Sequence, residues 1–163
     1  MIKKALSLSL FLLVLTAGQL AAAGSGAHKK SGEVYEVYNQ GVDLMVAGDY
    51  AAAQERFEKA LTLKKDFAEA HNNLGYSLRK QGADHYAAAL EHYNHALELN
   101  PQLAEALMYR GVLFTLMGDE EEAKADHATL VELSPELAEQ LLQVIATGEE
   151  PEGTAGLAAR WKE

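Results

Sequence analysis

The chemistry-bearing residues of this chain collect in one stretch. Asn72, Tyr76, Arg79 and Lys80 recur at spacings of three and four, so they share one stripe of a helix. Arg supplies a planar fork of donors, Lys a point charge and Asn an amide, a set suited to a carboxylate. The alternative is that Arg79 and Lys80 only neutralise acids nearby, such as Glu69 or Glu105. A second cluster is His85, His92 and His95, of which the last two stand i, i+3, a spacing that can share a metal. The pattern offers these histidines no further ligand, so they read as solvated surface side chains, and no metal or cofactor is assigned. His71 and His127 occupy packing positions. There is no Gly-rich phosphate loop and no nucleophile elbow, so the expectation is a protein without catalytic activity.

Composition narrows the classes further. The 163 residues include no Cys, which excludes disulfides and thiolate chemistry, and 24 acidic side chains stand against 14 basic ones. A chain this acidic lacks the basic stripe that meets nucleic-acid phosphates. Its length suits one domain.

The elements that would hold Asn72 to Lys80 in place are helices in a repeat. Gly41, Gly75 and Gly111 recur at spacings of 34 and 36, Pro101 and Pro135 at 34. The glycines Gly48, Gly82 and Gly118 follow seven residues after each of the first three, and Ala53, Ala89 and Ala123 open a second helix each time. A period of this length argues for a solenoid of helical hairpins, none of which can bury both of its apolar faces alone. Gly within a helix costs about 1 kcal/mol relative to Ala. Three equivalent ones imply close helix approach, here expected against Ala53, Ala89 and Ala123. After Pro135, Leu137, Leu141, Val144 and Ile145 line one face of a helix over 136–147, which would cap the stack before Gly148 ends it.

On these residues, together with Gly48-Asp49-Tyr50, Phe57, Ala60, Leu74, Tyr93 and Ala96, the chain resembles the tetratricopeptide repeat family over about two thirds of its length. The resemblance implies an all-α fold: a right-handed α-solenoid of three hairpins, at about 34–67, 68–103 and 104–137, plus the capping helix, making a domain over 33–148. Several positions depart from the pattern. Val37, His71 and Leu107 replace a large aromatic, His127 replaces the inner aromatic of the third copy, the first copy has no closing proline, and two extra residues enter the turn at Ala83-Asp84-His85. They predict a looser third hairpin and a softer first inter-repeat turn.

In this family the first helix of each hairpin lines a concave groove. The resemblance places Tyr35, Tyr38, Val42 and Met45 there, then Glu69, Asn72, Tyr76, Arg79 and Lys80, then Glu105, Met108, Val112 and Thr115. It thus implies an aromatic and methionine-rich partner-binding groove with one basic spot, suited to a peptide or a helical segment. Some members clamp a C-terminal carboxylate with Lys and Asn, but Tyr38 and Val42 stand where the first hairpin would need them. That chaperone-binding role is not carried over. The first helix is apolar on most sides, so something beyond the second hairpin must cover Tyr35, Tyr38, Val42 and Met45.

The ends read differently. Lys3 and Lys4, an apolar run from Ala5 to Leu15, and Ala21-Ala22-Ala23 make residues 1–23 a secretory signal peptide. The apolar run is shorter than the roughly 20 residues that span a bilayer. Cleavage would leave 12 of the 14 basic side chains against all 24 acids. Residues 24–32 are a Gly/Ser-rich linker. The tail, 149–163, starts acidic and ends with Leu157 and Trp161 beside Arg160 and Lys162; it is either solvated or anchored by its Trp to the stack or a partner. The chain is therefore expected to be an exported interaction scaffold of the periplasm or cell envelope, with a protein or peptide partner and no nucleic acid. Self-assembly through the apolar first hairpin, giving a homo-oligomer, is the alternative, and histidine-mediated metal handling a more distant one.

Overall fold

The computed structural model describes residues 32–150. The chain runs through α1 (residues 32–46), α2 (Tyr50–Leu63), α3 (Ala68–Lys80), α4 (Tyr86–Leu99), α5 (Ala104–Met117), α6 (Glu120–Leu133) and α7 (Pro135–Thr147), with a 3-10 turn at Ala83–His85 before α4. The expected signal segment 1–23, nearly all of the linker and tail residues 151–163 lie outside the described residues. Gly32, expected to close the linker, is already helical.

Turn chemistry separates the helices. After α1 and again after α5, a glycine takes a left-handed conformation, Gly48 at φ 82° and Gly118 at φ 86°. The next amide reaches back to cap the helix: Asp49 N donates to the Leu44 carbonyl and Asp119 N to that of Phe114. Asp49 then caps α2, its carboxylate accepting from Ala52 N at 3.2 Å. Between hairpins the chain leaves each helix through one extended residue. Asn100 and Ser134 do so ahead of a proline, which disfavours the helical conformation of the residue before it. Lys64 adopts φ −141°, ψ 97°, almost the values of Asn100 at −140° and 92°, without a proline. The first inter-repeat turn is thus as sharp as the second, contrary to expectation.

The second helix of each hairpin packs on the first helix of the next, α2 on α3, α4 on α5 and α6 on α7, which makes the solenoid. Within hairpins the glycines face rings more than alanines. A Cβ on Gly41 would lie 2.7 Å from the Phe57 ring, and one on Gly75 would lie 3.0 Å from the Tyr93 ring and 3.1 Å from the Ala89 carbonyl oxygen. Gly111 departs from the scheme: its neighbour is Leu141 of α7, at 2.5 Å. His127 is too polar to fill the third site, so the capping helix does. Leu137, Ala138, Leu141 and Val144 of α7 are buried, and α7 packs against both α5 and α6. An ion pair completes the third hairpin: Arg110 donates from Nε to Asp126 Oδ2 at 2.9 Å and from Nη2 to Oδ1 at 2.6 Å. It is therefore not loose but closed by different means.

Candidate functional site

α3 carries the site because it has neighbours on nearly every side. Every residue from Asn72 to Arg79 is buried. Gly75 meets α4, which turns Asn72, Tyr76 and Arg79 onto the stripe shared with α1 and α5. Tyr76 lies in that row, its ring 4.7 Å from the Tyr109 ring of α5 and 6.1 Å from Tyr50 at the start of α2.

The basic spot already holds a carboxylate. Arg79 donates from Nη2 to Glu150 Oε1 at 2.8 Å and from Nη1 to Oε2 at 3.0 Å, and Lys80 Nζ adds a third bond to Oε2 at 3.3 Å. The Arg79 guanidinium is 3% exposed and sits 5.1 Å from the Tyr76 ring centroid, so ring faces and carboxylate share its desolvation. Neither Glu69 nor Glu105 is its partner. Those two carboxylates instead lie near Tyr38, whose phenol pKa is raised mainly by burial and further by them. Tyr76 and Tyr109 are raised as well, chiefly by burial, and Tyr93 is pushed up to about 12 by the same cause, so these tyrosines stay protonated. The Tyr93 hydroxyl lies near enough to Arg79 to feel its charge but outside hydrogen-bond geometry, and both it and Arg79 Nε have no hydrogen-bond partner.

The other groove residues are more buried than a groove lining would be. Tyr38, Val42, Met45, Asn72, Tyr76, Met108 and Val112 are all between 0 and 3% exposed, whereas Tyr35 and Thr115 are half-buried and Lys80 is exposed. Tyr38 packs on Phe67 at 4.9 Å and on Phe57 at 5.7 Å. A polar chain crosses this floor: Asn72 Nδ2 donates to Asn73 Oδ1, and Asn73 Nδ2 to the Tyr38 hydroxyl at 2.9 Å. Asn72 Oδ1, also buried, accepts from nothing. The sequence reading missed Asn73, whose signal was a second Asn in an otherwise apolar helix face, and Glu150, for which no local signal exists.

The histidines regroup. His71, expected to be satisfied inside its hairpin, meets His92 with Nδ1 to Nδ1 at 3.1 Å and stacks edge-on to His95 at 4.4 Å, while His95 also contacts Glu98. The His71 Nε2 lies 3.1 Å from the Lys65 carbonyl. The cluster is thus His71, His92 and His95, without His85. Among the described residues, no group of three or more His, Cys, Asp or Glu is placed to hold a metal ion.

Helical hairpins in series around a shared inner stripe define an α-solenoid. Two family models match it, one described as TPR repeat over residues 43–82 and one as tetratricopeptide repeat over 81–138. The chain belongs to the tetratricopeptide repeat family. Among solved structures it is similar to the first TPR domain of Spaghetti (RPAP3) bound to an HSP90 peptide, with TM-score 0.65 and 22% identity over 72% of this chain and 94% of that one. The second TPR domain of human RPAP3, in complex with an HSP70 peptide, gives TM-score 0.64 and 22% identity over 72% and 98%. The Yersinia enterocolitica type III secretion chaperone SycD, in complex with a peptide of the translocator YopD, gives 0.61 and 15% over 68% and 88%. At these identities the likeness is one of fold. A comparison with curated proteins finds no match.

Proposed function

We propose that this protein is a non-catalytic interaction scaffold whose inner stripe binds a peptide or helical segment of a partner protein through an acidic side chain or terminus. The carrying observation is that Arg79 and Lys80 grip a carboxylate with three hydrogen bonds, two of them the parallel pair that gives Arg its selectivity. The unused Asn72 Oδ1 adds an acceptor for a donor on the bound segment. Three structures of similar fold hold bound peptides, which agrees with this use of the stripe. Selection of displayed random peptides on the purified protein tests it. Binders enriched in Asp or Glu that are lost on the Arg79→Glu, Lys80→Glu variant support the reading, and binders indifferent to both changes overturn it.

The same proposal places the protein outside the cytoplasm, in the periplasm or cell envelope, on the strength of Lys3, Lys4, the apolar run to Leu15 and Ala21 to Ala23. Among the described residues no helix is long and apolar enough to cross a membrane. Mass analysis of the mature chain is expected to show Gly24 as its first residue; an intact Met1 end would overturn cleavage.

A further inference from the structure

The inner stripe of this solenoid is covered, and the chain itself points to what covers it. α2 and α4 pack on the hairpin side of their partners, yet Val42, Met45, Asn72, Met108 and Val112 on the other side are at most 3% exposed. After α7 the chain turns at Gly148, φ 71°, and comes back across the fold, so that Glu150 reaches Arg79, 71 residues earlier. The described chain therefore ends at Glu150, bound to Arg79 at the end of the inner stripe, and the thirteen residues 151–163 follow it.

Charge and length fit those residues to the groove. The stripe is basic at the carboxyl end of α3, where Arg79 and Lys80 lie, and acidic at the other end, where Glu69 and Glu105 lie near Tyr38. The C-terminal segment has the complementary order in the main: acidic at Glu150 and Glu152, then basic at Arg160 and Lys162, with one acid, Glu163, after them. Ten residues separate Glu150 from Arg160, as ten separate Glu69 from Arg79, and in helical form each span is about 15 Å. Leu157 and Trp161, i and i+4, would present one apolar ridge to the Met and Tyr floor.

We propose that residues 151–163 dock in this groove as the chain's own ligand, antiparallel to α3, with Leu157 and Trp161 on the floor and Arg160 and Lys162 toward Glu69 and Glu105. The proposal rests on the groove being a ligand site and adds its regulation. A partner competes with the tail for Arg79 and Lys80, and its affinity is lowered by the fraction of time the groove is closed.

Trp161 is the only Trp, which makes the full chain its own reporter. Its emission is expected to be blue-shifted and shielded from acrylamide compared with a synthetic 151–163 peptide, independently of protein concentration. Leu157→Asp, and separately Glu150→Lys, should restore peptide-like quenching while circular dichroism stays helical. A labelled 151–163 peptide added in trans should bind the Leu157→Asp chain about tenfold tighter than the native chain, as expected if the groove is open about a tenth of the time. Peptide-like quenching in the native protein overturns the docking and leaves the acidic-peptide reading standing. Quenching that rises on dilution assigns the groove to a second copy and overturns the intrachain form. A shielded Trp161 that neither Glu150→Lys nor Leu157→Asp releases places the tail elsewhere and overturns the proposal too. Loss of acidic-peptide selection with Trp161 still releasable removes the partner reading alone.

Discussion

The second and third hairpins solve one packing problem in two ways. Each opens with a helix carrying a glycine, Gly75 or Gly111, that leaves a gap for a neighbour. In the second, Tyr93 of the same hairpin fills the gap and the Ala89 backbone closes beside it, so the hairpin is complete in itself. In the third, the equivalent ring has become His127, and the gap is filled from outside by Leu141 of α7, while Arg110 and Asp126 bind the two helices together. A repeat that loses its own knob can thus borrow one from the cap. The price is dependence: the third hairpin needs α7, and the second does not.

The comparison breaks most severely at Gly75. Gly75→Leu would drive four carbons against the Tyr93 ring and a carbonyl that cannot move, and is expected to cost roughly 4 kcal/mol or to abolish folding. An unchanged denaturant midpoint would refute the register. Next comes Leu141→Ala, expected to cost about 2–5 kcal/mol for a buried leucine. It sharpens the contrast through a cycle: Gly111→Ala should destabilise the native chain but stabilise the Leu141→Ala chain, where the new methyl finds room and helix propensity returns about 1 kcal/mol. Equal effects in both backgrounds would mean that Leu141 is not the third hairpin's knob.

Acid distinguishes the hairpins by a smaller effect. The His71 pKa is lowered to about 4, chiefly by burial, with His95 and His92 adding and the Lys65 carbonyl and Asp66 opposing. His92 is lowered as well, again chiefly by burial and despite Glu91 and Glu58. Because the folded state holds these imidazoles neutral, the unfolded chain takes up protons first. The His71 contribution is whole above pH 6.5 and falls away as pH drops toward about 4, and that of His92 is lost in the same direction. The melting temperature should decline across that window, and His71→Gln should flatten the decline; an equally steep decline in the variant would rule the cluster out as its source. The smallest effect belongs to Tyr93→Phe. The first hairpin already has Phe57 at this place, and the Tyr93 hydroxyl is buried without a partner. Its removal should change stability by no more than about 1 kcal/mol, with stabilisation the expected sign; a larger loss would reveal a hydrogen bond to Arg79.

Much of this was legible in the residues. The glycine and proline spacings located the hairpins, and Leu137, Leu141 and Val144 located the cap, because helix periodicity and turn chemistry act over a few residues. The site was legible only in part. The stripe of Asn72, Tyr76 and Arg79 follows from helical spacing, but the acids chosen as partners for Arg79, Glu69 and Glu105, were those close in the repeat, and the structure uses Glu150 instead. The first helix's excess of apolar side chains correctly demanded cover for Val42 and Met45, without naming it.

By itself, then, the sequence determined the helices, their order and the face each presents, since these depend on propensity, capping and period within a turn or two of chain. The tertiary structure alone decided that Leu141 fills the gap at Gly111, that His71 joins His92, and that Glu150 closes on Arg79. Those pairs are set by how successive hairpins rotate against one another. The rotation sums small packing offsets over the whole stack, and no local pattern of residues encodes that sum.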